Sequence, residues 1–526
     1  MIQVLSLLLP VLLYFLWFGW KLKSGFHMLQ QNSYLNEHYL KWCVQNPGRI
    51  LFVREFLPII VFLAGWFFLK QYAFMLFGCV YFLMFLTRPK NTYSKKPLVV
   101  TARVKRLIVT AGVIGIVIAI VIMVWQLDTR LLAVLLTILS VLSCLYVALV
   151  NLINRPIELG INRWYYRDAQ KKMEAMPNLK VVGITGSYGK TSTKFILTKI
   201  LAEKYNVLMT PESYNTTMGV IKTVRMQLKP VHEVFVCEMG AKYVGDIKEI
   251  CDLVQPKYGL ITSIGPQHLE TFHSVENIVN TKYELAESLP DKAKAVINLS
   301  SPLIRENQRY PAAVTYGEQG EPGVQYWAEE IEYGNAGTSF TVRSKQGLSI
   351  RLETRLLGKH NILNIVGAVA VADLLGVEPE NIIFGVKKLQ PVPHRLEMKP
   401  RSGNITIIDD AFNSNVEGAK SAVEVLGKFE GVQRILITPG MIELGDKQYE
   451  YNYTFGTQAA AQCDYILLVG EKQTIPIQEG IKAAGFPEER LFVLHNLQEA
   501  LAKMRELANI PSVVLLENDL PDLFET

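Results

Sequence analysis

The stretch Val181-Val182-Gly183-Ile184-Thr185-Gly186-Ser187-Tyr188-Gly189-Lys190-Thr191-Ser192-Thr193 decides the fold of the larger part of this chain. Its first four residues form an apolar run suited to an inner parallel strand. Gly186 and Gly189 permit tight backbone turns, and Lys190-Thr191 open a helix whose free N–H groups face anions. Strand, loop and helix in that order make a phosphate cradle, with Thr185, Gly186, Ser187, Gly189 and Ser192 lining it. In such a cradle Lys190 bridges the β- and γ-phosphates of a nucleotide triphosphate, and the Thr191 hydroxyl holds Mg²⁺. The first glycine of the general G-x-x-x-x-G-K-[ST] pattern stands one residue early here, at Gly183.

Toward the C-terminus, short apolar strands alternate with helical segments, which predicts a doubly wound α/β fold. Strands are expected at Val234–Cys237, Gly259–Ile264 and Ala293–Ile297, and the alternation over Thr338–Leu357 reads as a small antiparallel insertion. A second, Rossmann-like α/β unit begins after Glu397, with strands expected at Ile405–Ile408, Arg434–Thr438, Tyr465–Val469, Leu491–Leu494 and Val513–Leu516. The boundaries implied are a central ATP-binding domain over 180–396 and a C-terminal domain over 397–526.

Toward the N-terminus the composition changes. Of 526 residues half are hydrophobic, and they crowd into the first 150. Ile2–Trp20, Leu107–Gln126 and Leu131–Val150 are each apolar over about the 20 residues that cross a bilayer as a helix. Between Leu51 and Leu86 the apolar sequence is broken at Arg54-Glu55 and Lys70-Gln71, which fits two shorter spans with a tight turn or one re-entrant hairpin. About five transmembrane helices over 1–150 are therefore expected. The acid-free loop Arg88–Arg106 carries seven Lys and Arg residues, which sets it, and everything after Val150, in the cytoplasm of a multi-pass inner-membrane protein. Lys21 and Lys23 follow the first apolar run instead of preceding it, so that run does not read as a cleaved signal. Over 151–179, Ile157, Ile161, Trp164 and Tyr165 among several Arg and Lys residues predict a juxtamembrane amphipathic helix at the headgroups.

The net charge of +6 belongs mostly to the membrane flanks, and no nucleic-acid motif is visible, so nucleic acid is excluded as a partner. Six scattered cysteines form no C-x-x-C pair and read as reduced, small apolar residues. Polar residues at strand ends are the expected ligands of an open parallel sheet. Glu238 ends the strand Val234–Cys237, where an acid holds Mg²⁺, and His268 follows the turn Gly265-Pro266.

Together these positions resemble one family, the Mur ligases of peptidoglycan assembly, nearest the branch that adds D-alanyl-D-alanine. The resemblance runs from Gly183–Lys194 through Glu238-Met239-Gly240-Ala241, Gln267-His268-Leu269-Glu270, Thr281-Lys282-Tyr283-Glu284, Gly358–Asn364, His394-Arg395-Leu396-Glu397, Asp409–Asn415 and Gly440–Asp446, in the family's order. It implies that Lys190 and Thr191 bind phosphates and Mg²⁺ and that Glu238 and His268 help hold the metal ions. It also implies that Lys282 is carbamylated by CO₂ and so becomes an anion that positions a second Mg²⁺. Asn361 resembles the adenine contact, and Arg395 and Asp410 resemble hinge and C-terminal-domain groups that reach the nucleotide on closure. The implied reaction is amide ligation: a carboxylate attacks the γ-phosphate, and an amine then displaces phosphate from the acyl phosphate, leaving ADP.

Four departures from the family pattern stand out. Membrane spans occupy the place of the sugar-nucleotide-binding domain. Leu516-Glu517-Asn518-Asp519 stands where a Lys-Gly-Ser element often occurs, Asn452 stands in place of a histidine, and Tyr188 is bulky for the loop. The reading these observations support is a membrane ligase joining an amino acid or dipeptide to a small-molecule or lipid-linked carboxylate of a cell-envelope precursor, with other envelope-synthesis proteins as partners. A polymer-forming ligase of the poly-γ-glutamate type is the alternative. A P-loop export motor is disfavoured by spans nearly free of charge beyond Arg54 and Glu55. A scaffold without chemistry is disfavoured by the set Lys190, Glu238, His268 and Lys282.

Overall fold

The computed structural model describes residues 2–50, 53–88, 97–125, 128–212, 214–334, 337–356, 358–390, 394, 396–399, 403–411, 416–429, 431–442 and 444–518. The chain divides into two compact units, an N-terminal one over Met1–Arg163 and a larger one from Trp164 onward.

The N-terminal unit is helical. Three helices, Leu7–Gln31, Ala102–Val121 and Ser143–Glu174, are long and apolar enough to cross a membrane. Two expectations are corrected here. The first helix does not stop at Trp20 but continues to Gln31, because Lys21 is paired inside the unit and does not leave the apolar environment. The expected span Leu131–Val150 is divided at Leu142 between Thr129–Val141 and Ser143–Glu174. The 51–86 segment forms Leu57–Leu69 and Ala73–Leu86, joined by the single turn Lys70–Tyr72. Each of these helices is about 20 Å long, shorter than a hydrocarbon core of about 30 Å. Their interior is aromatic: Tyr14, Phe62, Phe77 and Tyr81 are buried in one cluster. Gly78 lets helix Ala73–Leu86 press against Pro10, since a Cβ there would lie 2.4 Å from the Pro10 Cα.

The larger unit holds two sheets. The strands of the first are β1 (Lys180–Thr185), β2 (Val207–Met209), β3 (Val234–Glu238), β4 (Tyr258–Ile261), β5 (Ala295–Asn298), β6 (Val314–Glu318), β7 (Tyr326–Gly334), β8 (Gly337–Ser344) and β9 (Ser349–Thr354). Their order is β2-β3-β1-β4-β5-β6-β7-β8-β9, parallel as far as β7 and antiparallel across β7-β8-β9. The expected insertion at Thr338–Leu357 is thus the outer part of a three-stranded antiparallel extension. Val182 and Ile184 pack on one face with Ile196 and the helix Lys359–Leu374, while Val181, Phe235 and Cys237 pack on the other with Ile247 and Ile250. Both faces are covered, as near-continuous apolar strands require.

The second sheet comprises β10 (Glu397–Met398), β11 (Ile405–Asp410), β12 (Gln433–Thr438), β13 (Tyr465–Val469), β14 (Leu491–Leu494) and β15 (Ser512–Glu517), in the order β10-β11-β15-β12-β13-β14. Only β10 runs antiparallel. Register sets Asp410 beside Glu517 at the carboxyl ends of two neighbouring strands.

Candidate active site

β1 lies between β3 and β4, so the loop that leaves it is flanked by two strand ends. Ile184 is level with Glu238 of β3, and Thr185 with Ile261 of β4. The loop is then clamped from the β4 side. Ser187 N donates to the Ser263 carbonyl at 2.6 Å, Ser187 Oγ donates to the Gly265 carbonyl at 2.9 Å, and Thr262 Oγ1 donates to the Tyr188 carbonyl at 2.5 Å. Gly186 has φ +151°, and a Cβ there would sit 2.1 Å from Thr262 Oγ1, so only glycine fits. Gly189, at φ +78°, caps the helix Lys190–Leu201. Tyr188 finds its structural reason here, because its ring occupies the space that a side chain at Gly265 would need.

Lys190 curls over the loop, and its Nζ donates to the carbonyls of Gly186 (2.6 Å) and Ser187 (2.9 Å). Thr191 Oγ1 donates to Glu238 Oε1 at 3.0 Å, and Asn215 Nδ2 reaches the same oxygen at 3.0 Å. Glu238 is fully buried.

Lys282, on the helix Val275–Ser288, is 2 % exposed. Burial first, and the charge of Lys190 second, push its amine down to about 7, against the pull of Asp246 and Glu284. Glu284 is occupied in accepting from the Gly245 and Lys248 amides at 2.8 Å each. His268 adopts φ +55° and opens the short helix Leu269–Phe272, which packs against the Gly445–Lys447 turn of the C-terminal sheet. Among the described residues no three His, Cys, Asp or Glu side chains converge as a metal cluster. A divalent ion here would depend on Thr191, Glu238, phosphate oxygens and a modified Lys282.

Asn361 is buried in the first turn of the helix Lys359–Leu374. His360 beside it bonds Ser421 of the C-terminal sheet's helix Val416–Gly427 at 2.9 Å, and burial pushes its imidazole down to about 4. Asp410 Oδ1 accepts from Leu396 N at 3.1 Å, which ties the crossing segment to β11. Arg395, Phe412–Asn415 and Glu443 lie outside the described residues. Asn452, buried, donates to the Met441 and Gln448 carbonyls and accepts from Met441 N, all within 2.9 Å, so it braces the Gly440–Asp446 segment.

Residues 184–372 match the model of the Mur ligase middle domain, and residues 394–517 that of the Mur ligase glutamate ligase domain. The chain belongs to the Mur ligase family. Similar relatives are the UDP-N-acetylmuramoyl-tripeptide–D-alanyl-D-alanine ligases of Bacillus subtilis and Escherichia coli. The first is 27% identical over 66% of this chain and 76% of the relative, and the second 29% identical over 61% and 73%. Among solved structures, MurF from Acinetobacter baumannii aligns at TM-score 0.60 with 26% identity, covering 68% of this chain and 78% of that one. MurF from Thermotoga maritima in complex with ADP aligns at 0.59 with 25% identity, covering 69% and 81%. This Mur ligase is accordingly an ATP-dependent, peptide-bond-forming enzyme, and the family uses Mg²⁺. The relatives favour the cell-wall reading over the polymer-forming one.

The structure hydrogen-bonds Thr191 to Glu238 and holds Lys190 on the carbonyls of the same loop, with Lys282 close enough to feel the Lys190 charge. Three neighbours escaped the sequence reading. Lys194 faces Glu238, Asn215 shares its oxygen, and Asn364 lies where a Cβ on Gly189 would fall, 2.7 Å from its Oδ1. Two of them share a helix face with a residue named from the sequence, since Lys194 follows Thr191 by three residues and Asn364 follows Asn361 by three.

Proposed function

We infer that this Mur ligase is MurF-like and joins D-alanyl-D-alanine, or a closely related amine, to the carboxylate of a cell-envelope peptide precursor. The observation that carries this reading is the group at the end of β1 and β3: a phosphate-loop lysine, and a threonine hydroxyl 3.0 Å from a buried strand-end carboxylate. A buried lysine whose amine is pushed down to about 7 completes it. These residues fit a nucleotide with divalent ions. Thr191 and Glu238 form the hydroxyl–carboxylate pair a phosphate-bound ion needs, and Lys282 has the neutral amine that reacts with CO₂ to give a carbamate. ATP with Mg²⁺ supplies charge neutralisation and a transferable phosphoryl group. Lys190, released from the loop carbonyls, follows the phosphate charge, while Glu238 and carbamylated Lys282 hold the site's negative charge in place. Asn361, Arg395 and Asp410 orient the nucleotide and couple it to the C-terminal sheet, His268 stands with the metal-holding set, and an acyl phosphate on the precursor is the species the amine attacks.

The apolar helices anchor the enzyme in the cytoplasmic membrane, with its catalytic unit in the cytoplasm. Their outer faces support this: Ile116, Val117 and Ile120 are all more than half exposed. Such a placement favours a lipid-linked carboxylate as acceptor, met at high effective concentration. The test is ADP release by the purified full chain, which is expected only when a carboxylate acceptor and an amine are both present. UDP-muramoyl tripeptide is compared with membrane lipid extract as acceptor. ADP release with neither substrate would overturn the ligase reading, and efficient use of the soluble nucleotide alone would overturn the lipid-linked acceptor.

A further inference from the structure

Lys194 stands one turn beyond the phosphate-loop lysine on the helix Lys190–Leu201, and the reaction as described leaves it without a task. It is fully buried, as is Glu238, although lysine is rarely found there unless it is paired. Its ammonium lies 2.9 Å from Glu238 Oε2, donates to the Glu212 carbonyl, and faces the Phe195 ring at 5.0 Å. The other carboxylate oxygen, Oε1, accepts from Thr191 and Asn215. The carboxylate is therefore gripped at both ends, with Oε2 turned to Lys194 and Oε1 kept on the Thr191 side. Buried ion pairs contribute little net stability compared with apolar residues of the same volume. What this pair supplies is orientation.

The same ammonium reaches a third element. Glu212 and Asn215 belong to the connection between β2 and the helix Thr217–Gln227, and Glu212 has φ +42°. Asn215 O accepts from Gly240 N at 2.7 Å, and its side chain closes over Gly240 so tightly that a Cβ there would lie 2.7 Å from the amide carbon. Helix, strand-end acid and loop thus meet at one nitrogen.

We propose that Lys194 is a positioning residue for the metal-facing carboxylate. It fixes Glu238 with Oε1 beside the Thr191 hydroxyl and ties Glu212 and Asn215, in the connection after β2, to the phosphate site. This rests on the reading of Glu238 as the acid that holds the ion.

The test uses the purified full chain and measures Mn²⁺ binding by electron paramagnetic resonance in the presence of a non-hydrolysable ATP analogue. Metal-free affinity for the analogue and hydrogen exchange over 210–216 are followed alongside. Lys194→Met is expected to weaken Mn²⁺ binding about 10–100-fold, the usual cost of losing a group that orients a metal ligand. Metal-free nucleotide affinity stays unchanged and exchange over 210–216 accelerates. Lys194→Gln keeps the donors without the charge, so it serves if the methionine variant does not fold, and it is expected to fall between wild type and Lys194→Met. A folded Lys194→Met or Lys194→Gln protein with wild-type Mn²⁺ affinity overturns the proposal. Unchanged Mn²⁺ affinity in Glu238→Gln would instead overturn the metal assignment beneath it.

Discussion

Among the described residues two lysine–glutamate pairs are buried, and they differ in what is left over once each pair is made. Among the N-terminal helices, Lys21 spends all three protons, on Glu55 Oε1 (2.6 Å), Glu55 Oε2 (2.8 Å) and the Ser140 carbonyl (2.7 Å). Ser140 Oγ returns a bond to Glu55, and Trp17 Nε1 donates to Ser140 Oγ. These bonds close on the N-terminal helical segments themselves. Behind the phosphate loop, Lys194 holds one oxygen of Glu238 while the other stays with the Thr191 hydroxyl, on the side where phosphate is expected. The first arrangement staples helices together, and the second aims a ligand. A charge buried in an apolar helix is by default suspected of serving a transport path, but the bonds of Lys21 and Glu55 described here join helical segments to one another.

The largest effect that tests this contrast is expected at the open end. Lys190→Ala should lower ATP turnover about a thousandfold while the protein still folds, since the role proposed for Lys190 is to meet developing phosphate charge from the loop. Steady-state ADP release from the reconstituted protein measures it, and a variant keeping most of its turnover would remove the catalytic half of the comparison. Lys282→Ala should be nearly as damaging, with partial recovery in acetate or another short carboxylate. The amine of Lys282 is held near 7 by burial. Below that pH it is protonated and cannot take up CO₂, and above it the neutral amine is available for the proposed carbamate. Ligation in CO₂-depleted buffer should therefore recover on adding bicarbonate, more so at pH 8 than at pH 6. Recovery that is independent of pH would contradict the carbamate.

A sharper test treats the two pairs alike. Lys21→Met alone leaves Glu55 buried without the Lys21 cation and should destabilise the protein by about 3–5 kcal/mol, whereas Lys21→Met with Glu55→Met should regain most of that stability. Thermal unfolding in detergent reads both, and ATP turnover of the double variant should match wild type. The corresponding double change at Lys194 and Glu238 should leave a folded protein without turnover. If both double variants are inactive, the closed and open pairs do not differ in kind. The smallest effect belongs to Asn452→Ala, which strips three buried hydrogen bonds from the Gly440–Asp446 segment and should cost about 1–3 kcal/mol. Chemical denaturation measures it.

The parallel strands were readable because inner strands are short apolar runs ended by turn chemistry. Tyr465–Val469 and Leu491–Leu494 are found as expected, and β1, β3, β11, β12 and β15 differ by one or two end residues. The expected strand Gly259–Ile264 ends early at Ile261, where the Thr262 and Ser263 hydroxyls turn to the phosphate loop and donate to the Tyr188 carbonyl. Ala293–Ile297 starts late, because Lys292–Lys294 form a 3₁₀ turn capped by Asp291. Long-range pairing was less legible. A lysine within an amphipathic helix reads as solvated, and Lys194 betrays its burial only once Glu238 is known to stand beside that helix face. Lys21 reads as the end of a span for the same reason, its partner being 34 residues away.

Lys190, Thr191 and Lys194 are written into little more than one turn of a single helix. Inserting or deleting one residue between Thr191 and Lys194 would swing the second lysine by about 100° around the axis, away from Glu238. Lineages can exchange side chains in this turn one at a time, but they cannot let its length drift. The exposed turn between β8 and β9 has no such constraint, and length changes should accumulate there. A search for other chains built in this way should hold the Lys-Thr-Ser-Thr-Lys frame rigid and let the hairpin lengths float.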